Sequence, residues 1–160
     1  MPHFDAAYNL ARWLTRSADD ANDVVQESYL RAFTFFDGFR GGDGRAWLFS
    51  IVRNTCFTWL RKNHPAEMMT EFDEMTYASP AEASPESLQL RRADSELVKS
   101  TLEKLPAEFR EVLILREMEE LSYKEIAEIS GVAMGTVMSR LSRARKRLHE
   151  LLCVPEESRA

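Results

Sequence analysis

The stretch "ELSYKEIAEISGVAMGTVMSRLSRARKRLHELL", residues 120–152, decides the fold. Ser122 and Glu125 match the S-x-x-E capping box that opens a helix, here "YKEIAEIS". Gly131 stops that helix, "GVAMG" turns the chain, and residue 136 starts a second one. On a wheel of about 100° per residue, Val137, Leu141, Ala144, Leu148 and Leu151 fall on one side. Ser139, Arg140, Arg143, Lys146 and Arg147 fall on the other. Two short helices joined by a tight, glycine-containing turn form a helix-turn-helix pattern, in which the second helix enters the major groove of DNA. A basic outer face also suits a merely solvated helix whose C-terminal cations complement its dipole. The capping box, the turn and the wheel together favour DNA. Ser139 and Arg143 are the first candidates for base contact, with Thr136, Met138, Arg140, Ser142 and Lys146 beside them. Arg145, at the margin of the apolar side, and Arg147 suit phosphate or intramolecular partners.

The chain as a whole is acidic, with a formal charge of −5 over 160 residues. That acidity is local. Residues 1–63 hold eight basic and seven acidic residues, and residues 91–160 hold thirteen of each. Residues 64–90 hold six acidic residues and no Lys or Arg. A negative total therefore does not exclude nucleic-acid binding by a flank, because the local basic face decides it. Cys56 and Cys153 are far apart, and His3, His64 and His149 are scattered, so no paired metal-ligand spacing exists. Two buried or half-buried free thiols are expected, and no cofactor is implied. There is no Gly-rich phosphate loop and no nucleophile–base pair, which argues against an enzyme. No apolar run approaches the ~20 residues that span a bilayer, and "MPHFDAAYNLARW" lacks the layout of a signal peptide. A cytoplasmic location is expected.

Three helices are predicted before the acidic segment. "FDAAYNLARWLTR" is the first; Ser17 caps "DDANDVVQESYLRAFTFFDGF"; Asp43 or Gly44 opens "RAWLFSIVRNTCFTWLRK". Phe35, Phe36 and Phe39 are expected in the core, as is Trp59. From Ala66 to Ser87 the apolar pattern fails, with two Ser-Pro steps and a surplus of acids. Order returns at Leu88 with a helix to Glu103, and "LPAEFREVLILREME" carries Pro106 at its first turn. The predicted fold is all-α: a helical domain over 1–65, a flexible acidic linker over 66–87, a helix-turn-helix domain over 88–154 and a tail over 155–160.

At this point two segments, in order, resemble one family. "LPAEFREVLILREMEELSYKEIAEISGVAMGTVMSRLSRARKRL" looks like the C-terminal domain of bacterial sigma factors of the extracytoplasmic-function group, and "DDANDVVQESYLRAFTFFDGFRGGDGRAWLFSIVRNTCFTWLRK" like their N-terminal domain. The resemblance implies a promoter-specificity subunit of core RNA polymerase. The basic helix would dock on promoter DNA at the minus-thirty-five element. Asn54 matches the residue that meets a base of the minus-ten element turned out of the stack. Trp47 and Thr58 lie on its stripe, and Arg53, Arg61 and Lys62 are placed to hold the opened strand. Asp23, Gln26, Glu27, Leu30 and Phe33 match the surface that holds the polymerase clamp helices. An anti-sigma factor, often membrane-bound or zinc-containing, is a further implied partner. Met138 departs from the family, standing where a basic residue is frequent. The alternative from another class is a dimeric helix-turn-helix repressor that reads an operator without polymerase.

Overall fold

The computed structural model describes residues 4–36, 44–68 and 95–153. Among them all regular structure is helical, in two bundles.

The first bundle holds α1 (Phe4–Thr15), α2 (Ala18–Thr34) and α3 (Gly44–Asn63). In α1 the buried residues Ala7, Leu10, Ala11 and Leu14 recur at helical spacing. Arg16 ends it with φ of 61°, a left-handed conformation uncommon outside glycine. The expected cap follows: Ser17 Oγ accepts from the Asp20 backbone N–H at 3.3 Å, satisfying one of the orphan donors of the helix start. The second helix stops earlier than the sequence suggested. Phe35 donates its backbone N–H to Arg31 O and leaves helical geometry at φ −100°, ψ 13°. Phe35 and Phe36 consequently lie 61% and 60% exposed, a correction to their assignment to the core. Phe36 makes an edge-on contact with Trp47, the ring centroids 6.4 Å apart. Phe39 lies outside the described residues.

After α3 a short 3-10 turn covers Pro65–Glu67, and Glu67 forms an ion pair with Arg16. The start of the expected linker is thus held against the first bundle; residues 69–87 lie outside the described residues.

The second bundle holds α4 (Ser95–Leu102), α5 (Ala107–Leu113), α6 (Tyr123–Ser130) and α7 (Met134–Leu152). The part of the expected helix over 88–94 is not described. Pro106 caps α5 rather than lying inside it. The chain continues from α5 as a π-helical turn, Ile114–Met118, closed by a bond from Glu119 N–H to Ile114 O at 3.1 Å. Both arms of the capping box form, each at 3.1 Å: Ser122 N–H to Glu125 Oε1, and Glu125 N–H to Ser122 Oγ. Gly131 closes α6 at φ 69°, where a side chain would be strained. The basic helix begins at Met134, two residues earlier than predicted. It buries Val137, Leu141, Ala144 and Leu148, and leaves Leu151 half-buried.

The two bundles are not held apart. Helix α1 touches α5, and α3 touches α6. Arg110 of α5 is fully buried at this junction and donates to Leu105 O at 2.8 Å and to Leu14 O at 3.0 Å. Leu14 lies in the last turn of α1, where carbonyls lack helical partners and the dipole favours a cation. One module therefore caps a helix of the other. Burial lowers the Arg110 pKa to about 10, against the pull of Glu67, so the guanidinium remains charged at neutral pH.

Candidate nucleic-acid interface

Helix α7 exposes only part of the face that the sequence placed outward. Met138 and Lys146 are exposed; Thr136, Ser139, Arg140, Ser142, Arg143 and Arg147 are half-buried. Arg140 Nε and Nη1 are buried without a hydrogen-bond partner among the described residues. Arg145 proves intramolecular. Its Nη2 and Nε reach Glu117 Oε1 at 2.8 and 3.1 Å, with both side chains about one-tenth exposed. This pair ties the basic helix to the π-turn before α6. Arg116 braces the same turn by donating to Leu121 O at 2.8 Å, its guanidinium 4.7 Å from the Tyr123 ring centroid. Arg147 lies 3.7 Å from Glu150 in an exposed pair.

Helix α3 presents a second, narrower face. Asn54, Thr58, Arg61 and Lys62 are exposed, and Trp47 is half-buried. Thr58 Oγ1 donates to Asn54 O at 2.9 Å, which leaves the Asn54 amide group free of that hydroxyl. Arg53 parts from this stripe. Its Nε donates to Glu111 Oε1 at 2.6 Å, its guanidinium lies 4.0 Å from the Phe57 ring centroid, and its Nη1 reaches back to Asn54 Oδ1 at 3.2 Å. Glu111 is fully buried and also accepts from Ser130 Oγ at 3.1 Å. Removing one member of such a buried pair costs about 3–5 kcal/mol, because the other charge is left uncompensated. Trp59 is half-buried against the core.

On α2, Asp23, Gln26, Glu27, Leu30 and Phe33 are all exposed, and Leu30 and Phe33 reach 69%. Gln26, Leu30 and Phe33 line a groove of about 500 Å³ with Phe4 and Tyr29. The last two were missed in the sequence. Their rings stack at 6.0 Å across α1 and α2, a tertiary contact with no signal in either helix alone. Glu27 on the same helix pairs with Arg31 one turn on, at 2.8 Å.

Burial pushes the Cys56 thiol well above its usual range. Cys153, the residue that ends α7, is exposed rather than buried or half-buried; its Sγ lies 3.6 Å from His149 Nε2. Among the described residues no group of three or more His, Cys, Asp or Glu side chains is placed to hold a metal. No helix among them is long and apolar enough to cross a membrane.

Two helical modules, the second a helix-turn-helix, each exposing a polar face suited to nucleic acid, define a two-part DNA-binding class. The comparisons with known proteins name it. Residues 1–65 match the family model "Sigma-70 region 2", and residues 95–148 match "Sigma-70, region 4". The extracytoplasmic-function sigma factor EcfG of Rhodopseudomonas palustris is 39% identical over 88% of this chain and 76% of its own length. SigE of Mycolicibacterium smegmatis is 32% identical over 94% of this chain, which spans only 58% of that relative. A solved structure of the sigma factor RpoE in complex with the anti-sigma factor NepR, from Bartonella quintana, superposes with a TM-score of 0.71. It is 33% identical and the match covers 96% of this chain and 93% of that one. The chain belongs to the extracytoplasmic-function group of the sigma-70 family. The dimeric repressor is thereby set aside.

Proposed function

We propose that the protein directs core RNA polymerase to specific promoters and is not itself an enzyme. Its α7 face docks in the duplex of the upstream element, with Ser139 and Arg143 nearest the bases, Thr136, Met138, Arg140 and Ser142 beside them, and Lys146 at phosphate. The α3 stripe captures melted downstream bases: Asn54 supplies the amide, Trp47 the aromatic surface, and Arg61 and Lys62 the charge for the strand. Arg53 joins them once it is released from Glu111. The groove on α2 seats a helical element of polymerase whose basic side chains meet Asp23 and Glu27. The division is 1–65 for the polymerase- and minus-ten-binding module, 66–87 for the linker, 88–154 for the minus-thirty-five module and 155–160 for a tail. The protein acts in the cytoplasm, where its polymerase is, and an anti-sigma factor holds it inactive, as the neighbour bound to NepR suggests by analogy.

The observation that carries the reading is the α2 face. Leu30 and Phe33 are left 69% exposed on the helix that carries Asp23 and Glu27, and large apolar side chains clustered in this way mark a partner site. Run-off transcription with purified core polymerase tests the whole. A defined start that depends on this chain is the expected outcome; no association with core polymerase would overturn the reading. Alone, the chain is expected to bind promoter duplex weakly, with affinity falling steeply in salt. Tight operator binding without polymerase at physiological salt would count against it.

A further inference from the structure

The sides of α7 turned away from the core have unlike chemistry. On a wheel of about 100° per residue, Met134 and Met138 fall within about 40° of each other, with Arg145 between them further along the helix. Arg145 is already engaged, its guanidinium held by Glu117 at 2.8 and 3.1 Å. Arg140, Arg143 and Arg147 lie about half a turn of the wheel from Met138. One flank is therefore basic and the other apolar. The helix packs through Val137, Leu141, Ala144 and Leu148, and the methionines take no part in that core. They are 45% and 43% exposed, and among the described residues of the second module no other large apolar side chain is as open.

We infer that this flank reads thymine: Met138, with Met134 one turn before it, seats the C5-methyl groups of thymines in the upstream element. The inference rests on the reading of α7 as the duplex-binding helix and names what that helix selects. In the major groove the base edges offer nitrogens and oxygens that ask for hydrogen bonds, and only the thymine methyl is apolar. A thioether donates no hydrogen bond and accepts one weakly, so it gains little from the other edges. Its unbranched, polarisable chain does adapt to an apolar neighbour. A cation at position 138 would instead seek the two acceptors of guanine. Charge names the partner as DNA and not protein, because the arginine flank and Lys146 on the same helix suit phosphate and guanine.

The placement along the helix agrees. Met134 opens α7 and Met138 follows one turn later, within the early part of a second helix that meets base edges. Their four-residue separation is about 6 Å along the axis, comparable with two base steps of about 3.4 Å. Gly135 stands between them, and a Cβ there would meet nothing within 4 Å. No neighbour among the described residues calls for glycine at that place, although glycine weakens a helix relative to alanine. A bare backbone beside two open methionines suits the close approach of an outside surface.

The test uses holoenzyme assembled from the full chain and purified core polymerase. It binds a promoter pool randomised across both elements, and the bound templates are sequenced. Thymine is expected at one or more fixed positions of the selected upstream element. Deoxyuridine then replaces each of those thymines in turn; it pairs identically and lacks only the methyl group. In competition, wild type is expected to prefer thymine over deoxyuridine about fourfold at one position or more, the effect of one buried methyl group. Met138→Arg, on an exposed site that tolerates the change, is expected to lose that preference. Wild type indifferent to every thymine methyl overturns the inference, as does a methyl preference that survives in both Met138→Arg and Met134→Ala/Met138→Ala. Should Met134→Ala/Met138→Ala bind all templates more weakly with the same preference, the flank docks a protein and the inference falls. Failure of the reading of α7 is distinct: Arg140→Ala/Arg143→Ala/Lys146→Ala would then select the same upstream element with the affinity of wild type.

Discussion

Helices α3 and α7 both face nucleic acid in the proposed function, yet they are built differently. The buried residues of α7, Val137, Leu141, Ala144 and Leu148, span a narrow arc of the wheel, and its other sides carry the charge. In α3 the buried set of Ala46, Leu48, Phe49, Val52, Thr55, Cys56, Phe57 and Leu60 covers roughly 200° of the circumference, taking about 100° per residue. What remains is the stripe of Trp47, Asn54, Thr58 and Arg61. The cause is tertiary, since α3 packs on α1 and α2 within its own bundle and on α6 of the other. Arg53 falls inside the covered arc, which is why it meets Glu111 and not solvent. A helix with one apolar side offers a broad surface for duplex; a helix enclosed on most sides offers a ridge for single bases.

The largest effect should come from emptying the covered arc. Phe57 is 1% exposed and carries the Arg53 guanidinium on its ring, so Phe57→Ala is expected to cost about 3–5 kcal/mol. Urea denaturation reads this directly. A loss below about 1 kcal/mol would mean that the second side of α3 is not packed as the structure has it. Next in size is a recognition effect on the open helix. Arg143→Ala is expected to remove about 1–3 kcal/mol of promoter discrimination, the scale of one bidentate base contact, while affinity for core polymerase stays intact. Competition between matched and mismatched upstream elements in run-off assays measures it. Equal preference before and after the substitution would move base reading to another residue of α7.

A smaller effect tests the entry to the helix-turn-helix. Ser122→Ala removes the cap of α6 and is expected to cost about 1 kcal/mol, lowering the denaturation midpoint of the second module. Wild-type stability would show that the Glu125 arm of the box carries the helix start alone.

The same comparison explains what the sequence disclosed. In α7 the buried residues lie on one stripe, so period was enough to place Lys146 outside and Leu148 inside; Arg140 and Arg143, expected to face outward, are half-buried instead. Gly131 at φ 69° and the Ser122 box were readable because turn chemistry is local. In α3 the stripe of Asn54, Thr58 and Arg61 was also visible, but the destination of Arg53 was not, since its partner is 58 residues away. A signal did exist: in "FREVLIL" Arg110 and Glu111 stand side by side inside an otherwise apolar run, and charges so placed need buried partners. Phe35 and Phe36 misled for the opposite reason. They continue the periodicity of α2, but the helix ends at Thr34, and nothing in their own residue type marks that end.

The smallest expected change in stability belongs to the exposed ridge itself, and it sharpens the contrast most. Asn54 is exposed, and its amide oxygen accepts one solvent-accessible bond from Arg53 Nη1 at 3.2 Å. Asn54→Ala should therefore alter stability by no more than about 0.5 kcal/mol, as surface changes away from caps and cores do; alanine also suits a helix interior better than asparagine. Its effect on function should be far larger, because an unstacked base deprived of its amide partner loses the interaction that keeps it out of the duplex. Permanganate reactivity of unpaired thymines in the polymerase–promoter complex reads strand opening, and equilibrium denaturation of the free protein reads stability. Impaired opening at unchanged stability identifies α3 as a ridge kept for bases rather than for packing. Unchanged opening would leave Asn54 as one more solvated side chain, and the narrow stripe as only what packing on three helices happened to leave uncovered.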